Sequence, residues 1–249
     1  MCDLIDLHTH TLACGHAYNT LYEMIRAAAC KGIGLFGSSD HGPCLPGSCG
    51  ELYFSNFKVI PRQQSGIRVL MGCELNIIDY EGSVDLKEIT QSRLDYGIAS
   101  LHVPCCAPGS VAENTNAYLG VMKNPYVQII GHPDDGRYPV DYDTLVAAAA
   151  QHHKLLEVNS SSLHPLSPRK GARERYLDML GLCVRYQTPI IIGSDAHCEA
   201  DVGNHQRALA LLEEIDFPQD LIVNTHVEKL IPYIPALKDW KENEEPSQP

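Results

Sequence analysis

The stretch Asp6-Leu7-His8-Thr9-His10 closes the first apolar segment of the chain. Side chains at positions i, i+2 and i+4 of a strand point to the same face, so Asp6, His8 and His10 are expected to project together. Two neighbouring imidazoles at a strand end can chelate one metal ion. Taken alone, this short spacing fits two solvated surface histidines equally well, so its meaning depends on the rest of the sequence.

Apolar segments of strand length alternate with helical segments through the chain. Strands are predicted at 4–7, 33–37, 67–73, 94–99, 127–130, 155–158 and 190–192. Helices are predicted at 20–30, 55–64, 113–123, 142–153, 172–186, 203–215 and 225–230. Such alternation is typical of an α/β fold with a parallel sheet, and seven units favour a closed TIM-like barrel over an open sheet.

The chain shows no linker, internal repeat or low-complexity segment that would divide it. An α/β barrel of this length is ordinary as a single domain, so one domain is expected over 1–240. Residues 241–249 are polar and rich in proline and glutamate, and a C-terminal tail is expected there.

The composition restricts the classes of partner. The 249 residues carry 31 acidic and 19 basic side chains, a net charge of −12. Such a surface repels nucleic acid and acidic membranes, although a local positive site can still bind a phosphate. No apolar run approaches the ~20 residues that span a bilayer, and no signal-peptide pattern opens the sequence. Ten scattered cysteines without a C-x-x-C pair are typical of reduced thiols, so a cytoplasmic location is expected.

Metal-binding side chains follow nearly every predicted strand. The carboxyl ends of barrel strands meet at one mouth, so these side chains are expected to converge. Each has an ordinary explanation alone, as a loop hydrogen-bond partner or a helix cap. Together they take up seven of the twelve histidines, and we interpret the other five, His152, His153, His164, His205 and His226, as structural or surface residues. The predicted ligands are His8, His10, His16, His41, Glu74, His102, His132, Asp195 and His197.

Nine ligands exceed the needs of one ion, so two or three divalent ions are predicted. Imidazoles with only two carboxylates suit zinc, manganese or iron better than calcium or magnesium. With Glu74 and Asp195 as the only anionic ligands, the loaded pocket keeps a positive charge that attracts a phosphate ester. Metal ions lower the pKa of a bound water toward ~7, which supplies a hydroxide nucleophile without a covalent enzyme intermediate.

These motifs resemble those of the PHP (polymerase and histidinol phosphatase) superfamily of metal-dependent phosphoesterases. The resemblance is closest to its small stand-alone phosphatases of the YcdX type, and it covers residues 3–235. It rests on D-L-H-T-H, on S-D-H-G at 39–42, on Glu74 and His102, and on G-H-P and G-S-D-A-H at 131–133 and 193–197. It implies a distorted (β/α)7 barrel with three metal ions, zinc first among them, and a trimer.

The resemblance also implies how the ligands are shared. One ion would take His8, His10, Glu74 and Asp195. A second would share Glu74 and add His102 and His132, and a third would take His16, His41 and His197. Asp6 and Asp40 match the motifs as carboxylates that fix the tautomer of a ligand imidazole.

Further residues are candidates beside the metal ligands. Contacts to the substrate are expected from polar groups near the sixth and seventh strands, although Arg169 and Lys170 also fit a solvated basic loop. Cys44 and Cys49 share a Gly/Pro-rich loop, whereas Cys14 and Cys198 lie beside predicted ligands without an assigned role. The substrate candidates are Asn159, Ser160, Ser161, Arg169 and Lys170.

The sequence thus predicts a metal-dependent phosphatase for small phosphomonoesters. Three alternatives stay open: a phosphodiesterase or 3'-5' exonuclease-type nuclease, a histidinol phosphatase, and a metal-binding module without turnover. The acidic balance and the lack of basic patches or aromatic stacking platforms count against long nucleic acids.

Overall fold

Nine strands and seven α-helices make up residues 5–239, the part of the chain that this computed structural model describes. The predicted start of the first strand at Leu4 and the predicted tail at 241–249 lie outside the described residues. The strands are β1 Ile5–Asp6, β2 Leu35–Ser38, β3 Gln63–Gln64, β4 Ile67–Met71, β5 Cys73–Ile77, β6 Gly97–Leu101, β7 Ile129–Ile130, β8 Leu155–Asn159 and β9 Ile190–Gly193. The helices are α1 Leu21–Cys30, α2 Glu51–Ser55, α3 Glu88–Gln91, α4 Val111–Val121, α5 Tyr142–Gln151, α6 Ala172–Tyr186 and α7 Gln206–Glu214.

The strands form two sheets. One has the order β1-β2-β4-β3, in which only β3 is antiparallel, and the other is fully parallel with the order β5-β6-β7-β8-β9. Two isolated parallel bridges, Thr9 to Ala196 and His41 to Glu74, link the segments after β1 and β2 to the second sheet. The predicted α/β fold with parallel strands is confirmed, and the carboxyl ends of strands from both sheets lie next to each other.

Local signals explain where the helices begin. Thr20 caps α1 by accepting the backbone N–H of Glu23, whose carboxylate accepts the Thr20 N–H in return. Ser110 and Glu113 form the same reciprocal pair at α4. Such a capping box satisfies two N–H groups that the helix itself cannot pair, which stabilises the helix start.

Gly72 divides the predicted strand 67–73 into β4 and β5, which belong to different sheets. A Cβ atom at Gly72 would lie 2.5 Å from the ring of Tyr96, and one at Gly37 would lie 2.4 Å from its hydroxyl oxygen. The hydroxyl of the buried Tyr96 donates to the carbonyl oxygen of Leu7 at 2.5 Å. Tyr96 therefore occupies the space beside Gly37 and Gly72, where a larger residue would collide with its ring or hydroxyl.

Two predicted helices are wrong. Residues 55–64 instead hold the end of α2, the 3-10 helix Phe57–Val59 and β3, because Tyr53, Phe54 and Phe57 pack edge to face in an irregular segment. Residues 225–230 form only 3-10 turns, which place Val227 and Leu230 against the core.

The smaller of two apolar clusters lies on the inner face of the strands. It joins side chains of both sheets, such as Ile5, Leu70, Ile129 and Ile191, to the C-terminal 3-10 segments. Burying one such side chain contributes roughly 1.5–3 kcal/mol, so this cluster holds both sheets and the C-terminal segments together. Within residues 5–239, no helix has the length and apolar character needed to cross a membrane.

Candidate metal centre

His8 and His10 follow β1 and are fully buried. Hydrogen bonds on both sides hold this segment in place: His10 N donates to the carbonyl of Ala196 at 2.8 Å, and Ser39 N donates to the carbonyl of Thr9 at 2.9 Å. The first motif of the sequence is thus fixed between the ends of β2 and β9, where the other predicted ligands lie.

The carboxylate of Glu74 lies at the centre of the histidine cluster, inside β5 and completely buried. Burial alone would raise the pKa of Glu74, but the facing imidazoles of His41 and His8 hold it well below its usual range. The nearest nitrogen–oxygen distances are 2.7 Å to His41, 2.8 Å to His132, 3.4 Å to His8, 3.4 Å to His102 and 3.5 Å to His10.

Asp195 forms the second acidic group of the cluster. Its Oδ1 lies 3.3 Å from Nε2 of His10, 3.5 Å from Nδ1 of His197 and 3.7 Å from Nε2 of His8. Its Oδ2 accepts from Nη1 of Arg169 at 3.1 Å. The backbone of Asp195 has a φ of +53°, a conformation that costs energy and persists only where the surroundings hold it, as is common at functional sites.

His16 and His197 face each other through their Nε2 atoms, which are 2.9 Å apart. The Nδ1 atom of His16 lies 3.1 Å from the carbonyl of Cys14, and that of His197 lies 3.0 Å from the carbonyl of Asp195. Because a carbonyl only accepts, each Nδ1 carries the proton and each Nε2 presents a lone pair. Two lone pairs turned toward each other suit a cation between or beside them.

Unpaired buried atoms test whether the residues fit a metal ion. His10 is completely buried, yet neither of its ring nitrogens has a hydrogen-bond partner among the described residues. Burial and the neighbouring imidazoles of His41 and His197 hold the pKa of His10 well below its usual range, which favours the neutral imidazole, the form that binds metals. Within the cluster, Nε2 of His8 and Nδ1 of His132 are likewise buried without a hydrogen bond. Nδ1 of His41 and Oε2 of Glu74 face only each other, at 2.7 Å.

The structure brings all nine predicted ligands into this one cluster. Four groups of three side chains have ligand atoms within 4.8 Å of one another. One contains Cys14, and each of the other three overlaps one of the sets that the family resemblance implies. The donor set therefore fits several divalent ions. The three groups without cysteine are His8, His10 and Glu74; His41, Glu74 and His102; and His16, His41 and His197.

Sequence reasoning missed two residues that orient the ligands. Oε1 of Glu157, in the middle of β8, lies 2.6 Å from Nδ1 of His8, and Oε2 accepts the backbone N–H of His132 at 2.7 Å. Oδ1 of Asn76, in β5, lies 2.7 Å from Nδ1 of His102. The available signal was the presence of polar residues inside largely apolar, buried strands, where a polar side chain needs a buried partner.

The roles expected of Asp6 and Asp40 need correction, because neither accepts a ring N–H from a predicted ligand within the described chain. Asp6 accepts from the Ser194 hydroxyl at 2.6 Å and from the Gly203 amide at 2.8 Å, and it lies 3.5 Å from the buried His205. Asp40 accepts the N–H and the hydroxyl of Thr11 at 2.6 and 2.7 Å, and the Tyr53 hydroxyl at 2.7 Å. They fix the loops that carry the ligands.

The substrate candidates differ in their surroundings. The amide of Asn159 is used inside the protein, donating to Asp195 at 3.1 Å and to Glu157 at 3.2 Å. Ser160 is buried, whereas Ser161 lines a cavity of about 240 Å³ beside Asp195. Lys170 is exposed and reaches the carbonyl of Pro165 at 3.4 Å.

A larger cavity of about 440 Å³ adjoins the first, since His164 and Arg207 line both. Its walls also carry Arg169, Lys170 and Arg173. Arg173 is paired with Glu214, and Arg169 is paired with Asp195. The arrangement places a cleft rich in guanidinium groups next to the histidine cluster of an acidic protein.

Comparison with known proteins agrees with this geometry. The family described as "PHP domain" matches residues 6–234. A "probable phosphatase" of Caldicellulosiruptor saccharolyticus is 44% identical over 230 residues, which are 92% of this chain and 95% of that protein. A "probable phosphatase" of Clostridium botulinum (strain Hall) is 42% identical over 231 residues, 93% of this chain and 94% of that protein.

The fold is also shared with a solved structure. Histidinol phosphate phosphatase of Lactococcus lactis, complexed with zinc, L-histidinol and phosphate, has a TM-score of 0.60 at 18% identity. The match covers 87% of this chain and 95% of that one, and at this identity it bears on the fold alone. The family match over nearly the whole sequence and the relatives above 40% identity show that the chain belongs to the PHP domain family, as its motifs predicted.

Proposed function

We propose that this protein is a metal-dependent phosphatase of the PHP type that hydrolyses small phosphomonoesters. The observation that carries the proposal is the buried cluster around Glu74 and Asp195, in which imidazole nitrogens without hydrogen-bond partners face two carboxylates. The printed names of the relatives, "probable phosphatase", support the same reaction class.

The nine predicted ligands would hold up to three divalent ions, with zinc as the first choice and manganese or iron as alternatives. Neutral imidazoles with few carboxylates favour these ions. Bound ions would lower the pKa of water toward ~7 and neutralise the charge that develops on the phosphoryl oxygens. Glu157 and Asn76 would keep His8 and His102 in the tautomer that leaves Nε2 free to bind.

Arg169 would bind a phosphoryl oxygen of the substrate. Its Nη1 atom lies 3.1 Å from Asp195 and 3.2 Å from the Ser162 hydroxyl, so the guanidinium is aimed at the cluster before substrate arrives. A guanidinium carries five N–H donors in a rigid fork, so donors remain for phosphate after these two contacts. The burial of the surrounding side chains excludes bulk water and strengthens these interactions.

The leaving group would occupy the cavity of about 240 Å³ beside Asp195 and the larger cavity beyond it. Together they have room for a small molecule, whereas a polymer would meet the acidic outer surface. The alcohol half of the substrate would therefore be small and polar. We further propose that the two sheets act together as the distorted (β/α)7 barrel of a single domain.

Metal content and hydrolysis measured on one sample test the proposal. Protein purified without chelator is expected to hold close to three ions per chain and to hydrolyse p-nitrophenyl phosphate. A chelator should abolish the activity, and zinc or manganese should restore it. The variant Asp195→Asn should lose both metal and activity, whereas Asp220→Asn on an exposed turn should lose neither.

Other results would lead to the alternatives. Activity on bis(p-nitrophenyl) phosphate that exceeds activity on the monoester would favour a phosphodiesterase. Selective turnover of histidinol phosphate would favour a histidinol phosphatase. Three ions without hydrolysis of any ester would favour a metal-binding module, and fewer than two ions after reconstitution would mean that the ligands are misassigned.

A further inference from the structure

Cys14 adds a sulfur to the wall of the histidine cluster, where the predicted ligand set has none. Its side chain is completely buried. The ligand atoms of His10, Cys14 and His197 all lie within 4.8 Å of one another. The family resemblance assigns these two histidines to different ions, so the sulfur lies where two ligand sets meet.

The backbone around Cys14 fixes the sulfur in this position. Cys14 ends a short 3-10 helix, and Gly15 follows with a φ of +82°. A Cβ atom at Gly15 would lie 2.2 Å from the carbonyl oxygen of Gly47, so the turn is packed directly against the loop after His41. A donor held by packed backbone loses little freedom on binding, which favours coordination over solvation.

The surroundings of the Cys14 sulfur suit a ligand. The backbone N–H groups of His16 and Ala17 donate to it. Amide donors directed at a sulfur stabilise the thiolate, and a coordinating metal deprotonates a thiol outright. The S–H bond breaks, the proton leaves to solvent, and the sulfur electron pair forms the bond to the metal.

His10 provides an independent indication that a cation belongs next to this sulfur. Both of its ring nitrogens are buried without a hydrogen-bond partner in the described chain. Ligand histidines almost always donate their second nitrogen to a carboxylate, carbonyl or water. Nε2 of His10 lies 3.3 Å from Oδ1 of Asp195, but Nδ1 has no such partner among the described residues, and the Cys14 thiol belongs to the same group of potential ligands.

We propose that Cys14 is a thiolate ligand of the metal centre, together with His10 and His197, and that it biases the centre toward zinc over manganese. Thiolates are soft ligands that zinc accepts and that manganese disfavours. This inference rests on the proposed metal-dependent function, but it concerns the ligand set and not the reaction. Within residues 5–239, no other cysteine belongs to a group of clustered potential ligands.

Cobalt(II) reports directly on sulfur coordination. The full-length protein is loaded with cobalt(II), its cobalt content is measured, and its absorption is recorded in the near ultraviolet. The wild type is expected to show a thiolate-to-cobalt charge-transfer band, which Cys14→Ser should abolish. Cys198→Ser is the matched control, because its sulfur lies beside His197 in sequence but contacts Asp201 at 3.5 Å, and the band should persist.

The outcomes separate this inference from the proposed function. Bound cobalt without the band, or a band that survives Cys14→Ser, overturns the thiolate while leaving the metal centre intact. No bound cobalt overturns both. If Cys14→Ser does not fold, X-ray absorption of the zinc-loaded Cys198→Ser protein decides: a sulfur neighbour at about 2.3 Å supports the proposal, and nitrogen and oxygen neighbours alone overturn it.

Metal preference gives a second readout. In a competition experiment, the affinity for zinc divided by the affinity for manganese should be at least about tenfold lower in Cys14→Ser than in the wild type. Residues that only hydrogen-bond to a ligand already change metal affinity by about 10–100-fold, so the loss of a ligand should do at least as much. An unchanged ratio contradicts the proposed bias toward zinc.

Discussion

The Oε1 atom of Glu157 lies 2.6 Å from Nδ1 of His8, and Oε2 of the same carboxylate accepts the backbone N–H of His132 at 2.7 Å. One buried side chain thus orients two predicted ligands from different strands. Glu157→Gln keeps the shape but removes the charge and leaves one acceptor oxygen, which cannot serve both Nδ1 of His8 and the backbone N–H of His132. We expect metal affinity and kcat/KM to fall by about 10–100-fold.

Glu88→Gln provides the control for this substitution, because it makes the same change of charge at the exposed start of α3, away from the walls of both cavities. Metal content by atomic spectroscopy and phosphatase kinetics would be compared in both variants. Equal metal content and equal kinetics in the two variants would mean that Glu157 does not orient the ligands.

Arg169 is expected to bind the phosphoryl group, since its guanidinium contacts Asp195 at the edge of the cluster. A hydrogen bond to a charged group contributes about 1.5–3 kcal/mol, which corresponds to roughly 10–100-fold in affinity. Arg169→Ala should therefore raise KM for a phosphomonoester by about that factor. Arg93→Ala is the comparison, because Arg93 is exposed and lines neither cavity beside the cluster. Unchanged kinetics in Arg169→Ala would remove Arg169 from the site.

Lys154 should make stability depend on pH in a defined interval. Burial lowers the pKa of Lys154 from 10.5 to about 8, and its ammonium group donates to the carbonyls of Asn124 and Val127. Below pH 8 both folded and unfolded chains hold the proton. Between about pH 8 and 10.5 the unfolded chain binds more protons, so this group makes the free energy of unfolding rise with pH.

The difference in free energy of unfolding between wild type and Lys154→Met isolates this effect. The free energy of unfolding of the wild type minus that of Lys154→Met should be constant below pH 8. Above pH 8 this difference should increase by up to about 1.4 kcal/mol per pH unit. Urea denaturation at several pH values measures it. A difference for Lys154→Met that stays constant between pH 8 and 10.5 would refute the prediction.

Alanine substitutions at two helical glycines should change the stability of the protein in opposite directions. A Cβ atom at Gly120 in α4 would lie 1.9 Å from the carbonyl oxygen of Glu81, so backbone must move, and we expect destabilisation by about 1–3 kcal/mol. Gly181 in α6 has nothing within 4 Å of an added Cβ, so Gly181→Ala should stabilise by about 0.5–1 kcal/mol. Chemical denaturation measures both, and a neutral Gly120→Ala would show that α4 can shift away from the loop.

The sequence predicted the features that depend on chemical type and on strong local signals. Residues such as His102 and Asp195 are recognisable because metal-binding side chains rarely follow so many strands by chance. Helix α6 has the predicted bounds, 172–186. In the structure the helical conformation stops on either side of it, at Gly171 and Gln187, which both have positive φ.

Features set by tertiary packing could not be predicted. Glu157 and Asn76 lie inside strands, and their roles depend on histidines far away in the sequence. The break at Gly72 depends on the ring of Tyr96, and the segment around Phe57 follows aromatic packing instead of helical periodicity. The assignment of individual ligands to ions stays a prediction.

The parallel bridge between Thr9 and Ala196 has a consequence for biosynthesis. It joins the first of the predicted ligand motifs to be translated with the last one. Asp195 and His197 can therefore join His8 and His10 only after about four fifths of these 249 residues have been synthesised. A product truncated before Asp195 would carry an incomplete set of the predicted ligands.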